Sequence, residues 1–206
     1  METEWRGMRF SFTEAVYAPR EDSFLLAEAV EKFARGRVLD MGTGCGIQGI
    51  AAARKKEVSA VVSADAGKEA LEAARANAGK NGAGGKITFV QTDLFSAVKG
   101  KFDTIAFNPP YLPVSPGEKR FADSAAWDGG KTGRKVIDRF LDEFDKHLAP
   151  RGKLLFLSSS LSDEGKTLKK LEQKGFRAET AGEKRFFFEK ITVIKAEKNP
   201  DNEAAA

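Results

Sequence analysis

Arg37-Val38-Leu39-Asp40-Met41-Gly42-Thr43-Gly44-Cys45-Gly46-Ile47 decides how the rest of this chain is read. An apolar run too short for a helix passes directly into glycines at alternate positions, and a helical pattern follows from Ile47 to Lys56. Glycine belongs where the backbone takes φ > 0 or lies against a ligand with no Cβ between them. Strand, glycine turn and helix together form the opening unit of a sheet built with helical crossovers.

Working downstream, Val58 to Ser63 reads as a second strand ending at Asp65, and Lys68 to Lys80 as an alanine-rich helix closed by Asn81-Gly82. Lys86 to Val90 and Phe102 to Phe107 are further strands. Val136, Ile137, Phe140, Leu141, Phe144 and Leu148 mark an amphipathic helix stopped at Pro150. Lys153 to Leu157 is a strand, Asp163 to Lys174 a helix, and Phe186 to Lys195 a last long strand whose three phenylalanines, Phe186 to Phe188, are expected in the core. Upstream, Leu25, Leu26, Ala29, Val30 and Phe33 place a helix over Glu21 to Phe33, with Glu21 and Asp22 suited to its positive end. The alternation implies an α/β fold with right-handed crossovers, a mostly parallel sheet and helices on both faces.

The chain has 206 residues, enough for one domain that buries roughly 70% of its unfolded surface without a staple. We expect that domain to span residues 1–195, with 196–206 a disordered tail lacking apolar anchors. Cys45 is the lone cysteine, which fits a reducing, cytoplasmic setting, and no apolar run approaches a membrane span. A net charge of +4 is too mild to argue for nucleic acid. From Lys146 to Lys195, twelve Lys/Arg stand against six Asp/Glu, a solvated surface or an acidic partner's face.

Ligands of open α/β sheets bind at the carboxyl ends of the strands. Gly44, Gly46 and Gly49 spell a dinucleotide pattern, but Asp40 would set a carboxylate beside the diphosphate. The same carboxylate suits a ligand with an ammonium and a sulfonium and no phosphate, S-adenosylmethionine, with the backbone at Gly42, Gly44 and Gly46 lying against it. Asp65 can accept both ribose hydroxyls, and Asp93 with Leu94 falls where adenine contacts are expected. Read alone, Asp65 and Asp93 could equally be helix caps; three acids at successive strand ends favour the methyl donor.

Asn108-Pro109-Pro110-Tyr111 ends the strand beside that site. Pro109 confines Asn108 to an extended conformation, and Pro110 offers no N–H, leaving nearby carbonyls free as acceptors. The Asn108 oxygen and a proline carbonyl can hold the two hydrogens of a planar NH₂, with Tyr111 stacked on the group that carries it. Such a nitrogen has a delocalised lone pair, and acceptors on its hydrogens raise its electron density for in-line attack. On physical grounds the segment specifies a planar NH₂ and nothing narrower. His147 reads as a surface residue near a helix end, Cys45 as a small packing residue, and neither a metal ligand set nor a Ser-His-Asp triad is evident.

The sequence resembles the HemK-type protein glutamine methyltransferases, in particular the archaeal and eukaryotic branch acting on class I translation release factors. Val16 to Leu26 (Val-Tyr-Ala-Pro-Arg-Glu-Asp-Ser-Phe-Leu-Leu), Asn108 to Tyr111, and Ala125 to Gly130 through Gly133-Arg134 and Asp138 to Phe140 carry the likeness. The resemblance implies a Rossmann-like class I methyltransferase with a seven-stranded sheet whose last strand is antiparallel. It implies donor contacts at Tyr17, Pro19 and Ser23 besides Asp40, Gly42, Asp65, Asp93, Leu94 and Asn108, a substrate amide at Asn108 with Tyr111 and Trp127 beside it, and S-adenosylhomocysteine as product, without a metal. The substrate would be the glutamine of a release factor's Gly-Gly-Gln tip. A small zinc-binding activator protein would pair with an edge strand near Lys86 to Val90. One departure is that Ala66-Gly67 follow Asp65 where the family commonly has Asn-Pro.

Three other readings compete. An amino methyltransferase acting on adenine or guanine of RNA or DNA could use the same acceptors, but would need a basic groove or an added recognition domain. The only insertion, Leu112 to Gly130, is loop-sized. Protein lysine would need a deprotonating environment, and a non-catalytic scaffold would have no use for Asn108.

Overall fold

The computed structural model describes residues 1–115 and 123–199. Its elements in chain order are β1 (Glu2–Trp5), β2 (Met8–Ser11), α1 (Glu21–Phe33), β3 (Gly36–Met41), α2 (Ile47–Ala53), β4 (Val58–Asp65), α3 (Lys68–Lys80), β5 (Ile87–Gln91), β6 (Phe102–Phe107), α4 (Lys135–Glu143), β7 (Leu148–Ser159), α5 (Glu164–Gln173), β8 (Phe176–Arg185) and β9 (Lys190–Lys198). Seven strands form one sheet in the order β5-β4-β3-β6-β7-β9-β8. The pairings from β5 to β7 are parallel, and β9 runs antiparallel to both its neighbours. The chain enters at β3, builds outward to β5, then returns to β6 on the other side. The carboxyl ends of β3 and β6 therefore flank the switch point, where such sheets open a crevice.

Alternation along the strands feeds two cores. Val38, Ala106, Leu155 and Leu157 pack on one face with Leu26 and Val30 of α1 and Ile47 and Ile50 of α2. Leu39, Ile105, Leu154 and Phe156 pack on the other with Ile137, Phe140 and Leu141 of α4 and Leu171 of α5. Sheet faces covered on both sides explain why these strands read as nearly continuous apolar runs.

Two expectations change, and one element is new. The last strand is instead a hairpin: β8 and β9 turn at Phe186 to Glu189, leaving Phe187 and Phe188 91% and 84% exposed rather than in the core. The supposed tail begins inside β9, where Ala196 is fully buried opposite Leu154 and Ala178, so the limit at residue 195 falls within a strand; the rest of the expected tail, 200–206, lies outside the described residues. The amino terminus adds the hairpin β1-β2, turned at Arg6 and Gly7 with φ of 48° and 73°. Asn77 of α3 fastens that hairpin to the glycine loop: its side chain accepts from Ser11 N–H at 2.9 Å and donates to the Ser11 and Cys45 carbonyls, each at 2.9 Å. Within the insertion, Leu112 bridges to Asp128, and 116–122 lie outside the described residues.

Candidate active site

A cavity of about 270 Å³ opens at the carboxyl ends of β3, β4, β5 and β6. Its wall joins Tyr17, Pro19, Asp22 and Ser23 from the amino-terminal segment and α1, the loop from Met41 to Cys45, Asp65 to Gly67, Thr92 to Leu94, and Phe107 to Leu112. Trp127 closes another side, its Nε1 donating to Asp123 Oδ1 at 3.2 Å. The charge of this wall is one-sided. Asp22, Asp65, Glu69, Asp93 and Asp123 line it, with no Lys, Arg or His among its described residues. Such a pocket repels phosphate and favours a cationic ligand.

The glycines divide their work. Gly42 and Gly44 line the cavity with φ of 62° and 54°, and a Cβ on Gly44 would meet nothing within 4 Å, so the backbone itself faces open space. Gly46 and Gly49 lie behind. A Cβ on Gly46 would press on Ala74 of α3 at 3.1 Å, and one on Gly49 would strike Ser63 Oγ at 2.4 Å and Asp40 Oδ2 at 2.9 Å. The dinucleotide-like spacing therefore comes from close packing of helix on strand, which needs no pyrophosphate. Asp40 is not part of the cavity wall. It is buried under the loop, its Oδ2 accepting from Thr43 Oγ1 at 2.5 Å and Gly49 N–H at 2.9 Å. Burial pushes its carboxyl up to about 7 against the lowering effect of those bonds.

Asp65 stands on the wall at the end of β4. Gly44 N–H donates to its Oδ2 at 2.9 Å and Gly67 N–H to its Oδ1 at 2.8 Å, which fixes the carboxylate plane while lone pairs remain for hydroxyl donors. Asp93 lies at the more open rim, paired with Arg139 at 2.8 Å. Leu94 follows at φ 48°, which turns the chain against the cavity.

Asp22 organises the opposite side. It sits in the first turn of α1, 4% exposed, and its Oδ1 accepts from Ser23 N–H at 2.6 Å. Its Oδ2 accepts from Asn108 Nδ2 at 3.0 Å, Tyr17 hydroxyl at 3.2 Å and Tyr111 hydroxyl at 3.4 Å. A carboxylate oxygen can only accept, so the Asn108 amide must present its nitrogen to Asp22 and turn its oxygen the other way. That oxygen, Asn108 Oδ1, is buried and has no hydrogen-bond partner among the described residues. Buried acceptors are ordinarily paired, and Asn108 is a residue of the cavity wall, so this oxygen is a candidate acceptor for a ligand's N–H. Burial, then the Asp22 charge, raises both tyrosine hydroxyls above the usual phenol range, keeping them neutral donors. Gly133 supports the segment from below: at φ 70°, a Cβ there would lie 2.2 Å from the Tyr111 carbonyl.

Tyr17, Pro19, Ser23, Gly42, Gly44, Asp65, Asp93, Leu94, Asn108, Pro109, Pro110, Tyr111 and Trp127 thus share one cavity wall, while Asp40 and Gly46 stand behind it. Sequence reasoning missed Asp22, read there only as a helix-dipole acid, because its partners Asn108 and Tyr111 are 86 and 89 residues away. Cys45 is 3% exposed with its thiol pushed up to about 12 by burial, unsuited to nucleophilic work. His147 stacks on Phe95 at 4.5 Å, away from the cavity. Among the described residues no group of three or more His, Cys, Asp or Glu could hold a metal ion.

The switch-point cavity, the bare glycine loop, the strand-end carboxylate Asp65 and the absence of cations on the described wall fit S-adenosylmethionine, and with the mixed seven-stranded sheet they define a class I methyltransferase. Residues 13–124 match the family model of the methyltransferase small domain. A Methanocaldococcus jannaschii protein, provisionally named a protein N5-glutamine methyltransferase, is 40% identical over 94% of this chain and 97% of its own length. The human methyltransferase HEMK2 is 31% identical over 89% of this chain and 90% of its own. Among solved structures, the E. cuniculi Mtq2-Trm112 complex responsible for methylating the termination factor eRF1 aligns with a TM-score of 0.70 and 29% identity, over 90% of this chain and 99% of that one. The chain belongs to the HemK-type protein glutamine methyltransferases, in the archaeal and eukaryotic branch.

Proposed function

We propose that this protein transfers a methyl group from S-adenosylmethionine to the side-chain amide nitrogen of a glutamine in a translation release factor. The observation that carries the reading is Asn108 Oδ1, a buried acceptor without a partner among the described residues, whose orientation Asp22 fixes. A glutamine amide brings two N–H donors. One goes to Asn108 Oδ1 and the other to a carbonyl of the Pro109-Pro110 segment, while Tyr111 and Trp127 confine the flat amide. Accepting both hydrogens raises electron density on the nitrogen and aims its lone pair into the cavity. When bound, the donor supplies an electrophilic methyl on a sulfonium. Asp65 would hold the ribose, and Gly42 and Gly44 would let backbone lie against the ligand. The attacked nitrogen becomes acidic and loses its proton afterwards, so no side chain need remove one first.

The finer elements of this reading are the Gly-Gly-Gln glutamine as target, a cytoplasmic site of action and a zinc-binding activator on β5. Support for the last is that β5 lies at the sheet edge with β4 as its only neighbour among the described residues, leaving strand hydrogen bonds to be made. Residues 1–198 would act as one catalytic unit. The test incubates the enzyme and labelled donor with a class I release factor, with and without the activator. Label on the factor supports the proposal. Label on RNA, with none on the factor, would move the reading to a nucleobase amine.

A further inference from the structure

The carboxyl edge of the sheet carries a feature that methyl transfer does not use. β8 and β9 are joined by a tight turn, Phe186-Phe187-Phe188-Glu189, closed by Phe186 N–H donating to the Glu189 carbonyl at 2.7 Å. Phe187 and Phe188 pack edge-on at a centroid distance of 4.5 Å, and beyond each other they face solvent. Two rings left in water forgo the stabilisation that burial would bring. The neighbouring turn after β7 adds Leu161, also exposed, and the two turns are tied together by Lys190 N–H donating to Ser160 Oγ at 3.0 Å. Of the exposed large hydrophobic residues, only Met1 and Leu168 lie elsewhere among those described. Apolar side chains gathered in this way mark a contact surface.

This corner is joined to the active site. Glu189, the last residue of the turn, accepts from Ser159 Oγ at 2.6 Å, and Lys184, just before the turn, pairs with Glu21, the residue preceding Asp22 in α1. Its basic residues are already paired: Lys184 with Glu21, Arg185 with Glu183 at 2.8 Å, and Lys190 with Glu164 at 2.8 Å. The corner therefore offers aromatic surface without free cations, suited to an apolar protein surface and poorly suited to a phosphate backbone. A cavity of about 270 Å³ cannot take in a protein surface, so recognition of a protein has to fall on its rim. The corner also lies at the opposite sheet edge from β5, which leaves it free if an activator pairs there.

We propose that Phe187 and Phe188, with Leu161 beside them, are the docking surface for the protein substrate, gripping an apolar patch next to the loop that carries the target glutamine. The inference rests on the protein-glutamine reading of the site. Its test replaces both rings in the full chain, Phe187→Ser with Phe188→Ser, and follows methylation of the release factor by the enzyme and its activator. The expected result is a KM for the factor raised by about tenfold or more, equivalent to ~1.4 kcal/mol. Donor affinity by calorimetry, Tm and kcat at saturating factor should stay unchanged. An unchanged KM overturns the inference, including where the variant instead loses self-association or RNA binding, and so does a raised KM accompanied by weakened donor binding. Failure of the wild-type enzyme to methylate the factor would instead overturn the functional reading beneath it.

Discussion

Replacing Asp22 by asparagine removes a charge with almost no change of shape, and the hydrogen bonding around it makes the consequence calculable. The carboxylate accepts on both sides, from Ser23 through Oδ1 and from Asn108, Tyr17 and Tyr111 through Oδ2. An amide has one accepting oxygen, so an NH₂ must face one of these groups of donors. If it faces Asn108, that side chain is driven to flip, and the acceptor offered to the substrate becomes a donor. A hydrogen bond to a charged group contributes about 1.5–3 kcal/mol, and about 1.36 kcal/mol is tenfold in rate, so kcat should fall about 10- to 150-fold. The assay is methyl transfer at saturating donor and saturating release factor, with donor affinity measured separately by calorimetry. The expected signature is a loss in kcat with donor affinity retained and Tm little changed, since a merely structural role would lower Tm instead. A kcat within twofold of wild type would refute the claim that Asp22 sets the orientation of Asn108.

Asp65→Ala should weaken donor binding by about 10–100-fold, or ~1.4–2.8 kcal/mol, since it removes a ribose acceptor and orphans the Gly44 and Gly67 N–H groups; unchanged affinity by calorimetry would refute the assignment. Gly133→Ala forces a Cβ into the Tyr111 carbonyl at a positive φ, so both Tm and turnover should drop, and a variant of full activity would show that the segment tolerates displacement. Asp40 supplies a pH prediction. Its carboxyl is raised in the folded state, so ionisation costs the fold nothing below the ordinary carboxylate range and progressively more as pH climbs towards about 7. The Tm of wild type should therefore decline relative to Asp40→Asn between pH 4 and pH 7, and a constant difference over that window would remove burial as the cause.

Where the sequence was informative, local signals and tertiary demands agreed. The apolar period over Glu21–Phe33 and the Asn81-Gly82 stop after Lys80 set both helices at their observed limits. Asp65, Asp93 and Asn108 could be placed together because strand ends of an open sheet converge, whatever the intervening distance in sequence. The failures have physical causes as well. β8 (Phe-Arg-Ala-Glu-Thr-Ala-Gly-Glu-Lys-Arg) is an edge strand with most positions facing water, so it lacks the apolar alternation that announces a strand. With no sequence signal for β8, the Phe186 to Phe188 run reads as part of the following strand and of the core. Asp40 looked like a ligand group because a carboxylate before a glycine loop has two uses, and only the positions of Thr43 and Gly49 decide that it braces the loop from beneath. Asp22 has no sequence signal for its role, since the groups it orients come from the far end of β6.

The central claim is that Asn108 Oδ1 holds a glutamine amide for methylation. Peptide mass mapping of a release factor after reaction tests it most directly. The predicted result is one added methyl on the side-chain nitrogen of the Gly-Gly-Gln glutamine, absent with Asn108→Ala and absent when that glutamine is replaced. A methyl found on lysine, or one that persists in the glutamine-replaced factor, would contradict it.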